Sequence, residues 1–239
     1  MTVTAPPTSF RRRHPPTWLL HGGRPTSRWL IRRRYDVREH GTGNVPPQGP
    51  VIVAANHTGV IDGPLLAIFG PRPVHALTKR EMFEGRLGRF LQASGQIPLD
   101  RLATDRSAIR ACLHVLAHGG AVGIFPEGNR GAGDLTRFRP GAAYLALVTG
   151  APIVPLTMFG TRPAGGGKDA LPARGSALDL VYGAPMRVDK RPWPRTKTLV
   201  AATSAALHQR MLEELRAGLV STGQTLPGPI PAESAEEIS

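Results

Sequence analysis

Apolar runs and helical patterns alternate along most of the chain. Pro50–Ala55, Pro73–Thr78, Gln96–Leu99, Ala121–Phe125, Ile153–Phe159 and Ala177–Tyr182 read as strands. The first is apolar throughout, as a strand buried on both faces must be. Between them lie helical patterns at Asp62–Phe69, Thr104–His118, Gly141–Val148 and Thr196–Val220. In the second, Ile109, Cys112, Leu113 and Leu116 recur at helical spacing, and Gly119-Gly120 ends it. In the last, Val200, Leu207, Met211, Leu215 and Leu219 form the inward stripe. Asp62 is placed as a helix N-cap, with Pro64 in the first turn. Strands alternating with helices predict a layered α/β domain with a largely parallel sheet.

The flanks differ in character. Residues 1–16 are rich in Pro and Arg and are expected to be mobile. Residues 17–40 predict two short basic helical pieces, because Gly22-Gly23 and Pro25 interrupt the pattern. The stretch after Ser221 is polar, Pro/Gly-rich and acidic and reads as a disordered tail. The organisation expected is therefore a basic membrane-proximal segment (1–40), one domain (41–220) and a tail (221–239).

Charge sharpens this division. The 239 residues carry a formal net charge of +13. Residues 1–40 hold nine arginines against two acids, so over half of the excess sits in the first sixth of the chain. Such a block attracts nucleic-acid phosphate or an anionic membrane. Aromatics amount to only 5%, and no recognition helix or stacking motif accompanies the charge, which disfavours nucleic acid. Trp18 and Trp29 beside arginines suit a membrane interface equally with a helix packed on the domain. Arg11-Arg12-Arg13 lacks the long apolar run of an export signal. The uncharged run Gly141–Gly160 is broken by Pro152 and Pro155, so no transmembrane helix is expected. Cys112 is the single cysteine, which excludes an internal disulfide and a cysteine-rich metal site. His114 and His118 share a polar stripe with Arg106 and Arg110 and read as a solvated face, and no metal is expected.

Three segments just beyond strand ends carry candidate chemistry. In Asn56-His57-Thr58-Gly59-Val60-Ile61-Asp62, a histidine and a carboxylate pair only if His57 lies in the loop and Asp62 at the helix start. Such a pair makes a general base, with the acid fixing the tautomer. The alternative is a cap beside an ordinary loop histidine. In Gly95–Arg101, Arg101 either grips an anion or pairs with a neighbouring acid. In Phe125-Pro126-Glu127-Gly128-Asn129-Arg130, a sharp turn exposes a carboxylate beside an arginine, with Arg137 and Arg139 following. No G-x-S-x-G elbow, P-loop or G-x-G-x-x-G helix start is present.

In this order the segments resemble the lysophosphatidate (1-acylglycerol-3-phosphate) acyltransferase family of glycerolipid synthesis. Its asparagine–histidine–four residues–aspartate block matches Asn56, His57 and Asp62. Its glycine strand ending in arginine matches Gly95, Ile97 and Arg101. Its phenylalanine-proline-glutamate-glycine-threonine-arginine block matches Phe125–Arg130, with Asn129 in place of threonine. Its proline-containing apolar strand matches Ala151–Leu156, and Lys79 matches a basic residue after the second strand. The resemblance covers residues 45–185 and implies an α/β/α acyltransferase-like domain. It implies His57 and Asp62 as the catalytic pair, and Arg101, Arg130 and Lys79 as the grip on an acceptor phosphate. By the same resemblance, Glu127 and Gly128 shape the acceptor pocket. The expected reaction moves an acyl group from acyl-CoA or acyl-carrier protein, as co-substrate, to a lysophospholipid hydroxyl, without a cofactor. Backbone amides near Gly59 or Gly128 are the candidate oxyanion donors. A phospholipid–lysophospholipid transacylase or another lipid acceptor would use the same chemistry. The expected setting is bacterial phospholipid synthesis, peripheral on the cytoplasmic side of the plasma membrane.

Overall fold

The computed structural model describes residues 18–101 and 105–231. The expectations for residues 1–16, for the helix start at Thr104 and for 232–239 lie outside them. Seven strands form one sheet: β1 (Asp36–His40), β2 (Val51–Ala55), β3 (Val74–Lys79), β4 (Ile97–Leu99), β5 (Ala121–Ile124), β6 (Ile153–Phe159) and β7 (Ala177–Tyr182). Their order is β1-β7-β6-β2-β5-β3-β4. All pairings are parallel except β6 with β7. The mixed, largely parallel sheet expected from the sequence is therefore present.

Helices cover both faces. On one side lie α1 (Trp18–Gly22), α2 (Arg24–Arg32) and α3 (Asp62–Phe69). On the other lie α5 (Arg106–Ala117), α6 (Gly141–Thr149) and α7 (Lys197–Thr222), while α4 (Gly85–Ala93) borders the sheet edge at β3–β4. Strand β2 shows why its sequence is apolar throughout. Val51, Val53 and Ala55 face the α3 layer, and Ile52 and Ala54 face the α5–α7 layer. The whole strand is buried.

Two elements depart from the apolar pattern. Strand β1 (DVREH) buries only Val37 and pairs at the edge with β7, so Asp36 and Arg38 stay in water while Glu39 pairs with Arg28 and Arg32. Helix α4 turns Leu87 and Phe90 toward a cavity rather than into the core, leaving no burial signature. A third difference concerns the C-terminus. Residues 223–231, expected to be disordered, run back over the domain: Gln224 Nε2 donates to Asp179 Oδ2 at 2.9 Å, and Pro227 is buried. The α5 stripe is also rotated from expectation. Ala108, Cys112, Val115 and Leu116 are the buried residues, whereas Ile109 and Leu113 border a cavity.

The basic segment is partly structural. It breaks into α1 and α2 at Gly22-Gly23, as expected. Arg24 Nε donates to Ile68 O at 3.1 Å. Arg28 donates to Ile68 O at 2.9 Å and to Phe69 O at 3.0 Å. Both cap the carboxyl end of α3, where carbonyls lack helical partners and the dipole is negative. Trp18 (67% exposed) and Trp29 (56%) remain on the surface. Among the described residues, no helix is long and apolar enough to cross a membrane.

This capping predicts that Arg28→Ala lowers unfolding stability by about 1–3 kcal/mol. The check is the urea midpoint, with the m-value unchanged. An unmoved midpoint would show that the arginine contributes nothing to α3.

Candidate active site

Strands β2 to β6 are mutually parallel, so their carboxyl ends share one edge of the sheet. His57 follows β2, Lys79 closes β3, Arg101 follows β4, Glu127–Arg130 follow β5 and Arg162 follows β6. Topology alone thus gathers residues more than one hundred positions apart. A cavity of about 1950 Å³ crosses this edge, and His57, Lys79, Gly128 and Arg130 border it.

The loop after β2 is held at each end. Asn56 is fully buried and pairs with Met158 in both directions: its Oδ1 accepts from Met158 N at 2.7 Å and its Nδ2 donates to Met158 O at 3.1 Å. That carries the β2–β6 ladder one residue past β2. The chain then turns sharply. Gly59 lies so close to the next segment that a Cβ there would come within 2.2 Å of Thr161 O, which only glycine avoids.

His57 Nδ1 lies 2.8 Å from Asp62 Oδ2. The same oxygen accepts from Thr58 N at 2.7 Å and Gly59 N at 2.8 Å. Asp62 is the first helical residue of α3 and is fully buried. The expected helix cap is therefore replaced: Ile61 occupies the N-cap, and the Asp62 carboxylate turns back to the loop. A carboxylate accepting at Nδ1 assigns the proton there and leaves Nε2 as the free acceptor. The ring stacks on Phe125 at 4.2 Å between centroids.

Glu127 also differs from expectation. It is nearly buried, and its Oε1 accepts from His57 N at 2.7 Å, so it braces the histidine backbone from behind. Gly131 N donates to His57 O at 2.9 Å, completing the bracing. Gly128 takes a left-handed φ of 75°, and a Cβ there would meet Arg139 Nε at 2.7 Å. Neither proposed oxyanion amide is free. Gly59 N is bound to Asp62, and Gly128 N donates to Phe125 O at 3.0 Å.

The basic residues form the cavity rim. Arg101 donates to Gly128 O at 3.0 Å and to Asn129 Oδ1, which ties the β4 and β5 loops together. Arg130 pairs with Asp169 Oδ1 at 2.7 Å and donates to Lys168 O at 2.7 Å. Lys79 lies 3.8 Å from Glu81. Lys168 joins them. Its pKa is held below the ordinary lysine value by burial, then by Arg130, with Lys79 and Arg101 adding to the repulsion. Four cations therefore border the cavity, with Asp169 and Glu81 beside two of them.

The motif segments did not point to Arg162. It is 3% exposed and donates to Thr58 O at 3.0 Å, Gly131 O at 3.0 Å and Gly166 O at 2.6 Å, with a further bond to Gly228 O. One guanidinium therefore joins the His57 loop, the Glu127 loop and the C-terminal segment. Its position directly after β6 is the available sequence signal, the same one that located the other segments.

Fold and site together define an α/β protein with a histidine–carboxylate pair beside a cationic rim. The family description "Acyltransferase" matches residues 36–159, and the chain belongs to that family. It is 35% identical over 127 residues to the 1-acyl-sn-glycerol-3-phosphate acyltransferase of Borreliella burgdorferi, covering 51% of this chain and 50% of that protein. It is 30% identical over 132 residues to the chloroplastic 1-acyl-sn-glycerol-3-phosphate acyltransferase LPAT1 of Arabidopsis thaliana, covering 53% and 37% respectively. The chain thus spans half or less of these relatives' length. The crystal structure of the 1-acyl-sn-glycerophosphate (LPA) acyltransferase PlsC from Thermotoga maritima shares the fold, with a TM-score of 0.61 and 23% identity. That match covers 83% of this chain and 78% of the other.

The buried Glu127 yields a pH test. Burial, opposed by the His57 N–H, raises its pKa from 4.5 to about 7. Between those values the folded chain keeps a proton that the unfolded chain has released. Stability therefore falls as pH rises through this window and levels off above it. Glu127→Gln keeps an acceptor for His57 N but cannot ionise. Urea unfolding should show wild type losing on the order of 3 kcal/mol relative to Glu127→Gln between pH 4.5 and pH 8. A pH-independent difference would contradict the buried-carboxylate reading.

Proposed function

We propose that the protein transfers a fatty acyl group from an acyl thioester to a hydroxyl of a lysophospholipid, with 1-acylglycerol 3-phosphate as acceptor and phosphatidate as product. The observation that carries this reading is the His57–Asp62 pair opening onto a large, mostly apolar cavity with a cationic rim. Names of the relatives that share the family segment support the same reaction class.

In this mechanism His57 Nε2 takes the proton of the acceptor hydroxyl as that oxygen attacks the thioester carbonyl. Asp62 holds the ring and stabilises the imidazolium that forms. The tetrahedral intermediate collapses with loss of the thiolate, which takes the proton from His57. The donor is already activated, so a covalent acyl-enzyme is unnecessary. Lys79, Arg101, Arg130 and Lys168 hold the acceptor phosphate, which places its free hydroxyl near His57. Glu127 and Arg162 position the reacting loop rather than touch substrate. The exposed tryptophans of α1 and α2, beside Arg32 and Arg33, rest the protein on an anionic membrane, from which the lipid acceptor enters.

The test is acyl transfer from oleoyl-CoA to lysophosphatidate, with phosphatidate read by mass spectrometry. His57→Ala should lower kcat by at least about 10², with the circular dichroism spectrum unchanged. Arg101→Ala should raise the acceptor KM. Wild-type turnover by His57→Ala would remove the base from the mechanism.

A further inference from the structure

The cavity continues well beyond His57. Lys197, Val200, Ala201, Ser204, Ala205 and His208 all border it. These positions fall on one face of α7, and eleven residues of helix span about 16 Å. The groove has a near and a far end. At the near end, the His208 ring stacks on Phe138 at 4.6 Å. Arg139, the next residue, donates its backbone N–H to Pro126 O at 2.8 Å and its side chain to Arg101 O at 3.4 Å. That end therefore adjoins the reacting loops, and Lys197 lies a helix-length away.

One end of this groove is charged and the other adjoins the reacting loops. Small residues at 201, 204 and 205 leave room for a slender arm. At the far end, Arg195 and Lys197 make no ion pair with any described carboxylate. Trp193, 78% exposed, also borders the cavity there. Lys197 opens α7, so the helix dipole adds to the positive field.

We infer that this groove receives the phosphopantetheine arm of the acyl donor, its thioester end beside His208 and its phosphate end on Arg195 and Lys197. The inference rests on the acyl-transfer reading, and it separates the two substrates in space. The acceptor phosphate occupies the Lys79–Arg101–Arg130–Lys168 rim, and the donor phosphate occupies a second cationic site at the start of α7. Phosphopantetheine is common to coenzyme A and to acyl-carrier protein. Trp193 offers a planar face for the base that only coenzyme A possesses.

The test uses the full chain and two readouts. Calorimetry with free 4′-phosphopantetheine needs no turnover. Binding should weaken about tenfold or more in the Arg195→Ala/Lys197→Ala variant. It should weaken several-fold in Ala201→Leu, which narrows the groove. In the transfer assay, the first variant should raise KM for oleoyl-CoA while KM for lysophosphatidate stays put. Free coenzyme A binding more tightly than phosphopantetheine, with the surplus lost in Trp193→Ala, identifies coenzyme A as the source. Equal binding of the two identifies the carrier-protein arm. Unaltered phosphopantetheine binding in both variants, or a shift in the acceptor KM instead, overturns the assignment. If lysophosphatidate is not acylated but phosphopantetheine still binds through Arg195 and Lys197, the groove stands and the acceptor reading fails.

Discussion

The site depends on one buried oxygen. Asp62 Oδ2 accepts from the His57 ring and from two consecutive backbone amides, Thr58 and Gly59. Those three bonds fold the loop after β2 into a tight turn and set the ring at the same time. The turn is possible because Gly59 passes against Thr161 O where any Cβ would collide. Remove the oxygen and the loop loses its internal anchor, and the imidazole its tautomer. The other supports act on the same few residues from outside: Glu127 on the His57 N–H, Gly131 on its carbonyl, Phe125 on its ring face and Arg162 on Thr58 O.

The placement of a candidate residue was legible in the sequence wherever it followed a buried parallel strand. Such strands are apolar on both faces and announce themselves, and their carboxyl ends are gathered by topology. The segments that hold His57, Asp62, Arg101 and Arg130 all lie beyond such strands. Elements whose apolar residues do not enter the core left no such trace. Strand β1 pairs at the sheet edge with a single buried residue, and α4 points Leu87 and Phe90 into a cavity. The C-terminal stretch reads as disordered because its residues are polar and Pro/Gly-rich, yet hydrogen bonds to Asp179 and Arg162 and the packing of Leu226 and Pro227 hold it on the domain. Glu127 misled in another way. A carboxylate in a proline–glycine turn reads as exposed, but its oxygen is used inward, on the histidine backbone.

The arginine excess also divides into distinct tasks once the structure is known. Arg24 and Arg28 neutralise the carboxyl end of α3, so the basic N-terminal segment is bound to the same helix whose first residue is Asp62. Arg101 and Arg139 link loops around the site, and Arg130 shares its charge with Asp169. Net charge alone could not show how the arginines are distributed. The distribution is set by which cations retain a carboxylate and which are left facing a cavity.

Nitrogen-15 NMR of the His57 ring tests the central claim most directly. For the neutral ring the structure predicts a pyrrole-type Nδ1 carrying a strongly hydrogen-bonded proton and a pyridine-type Nε2, with the Nδ1 signature lost in Asp62→Ala. A neutral ring protonated at Nε2, or a spectrum indifferent to that substitution, would contradict a base poised by Asp62.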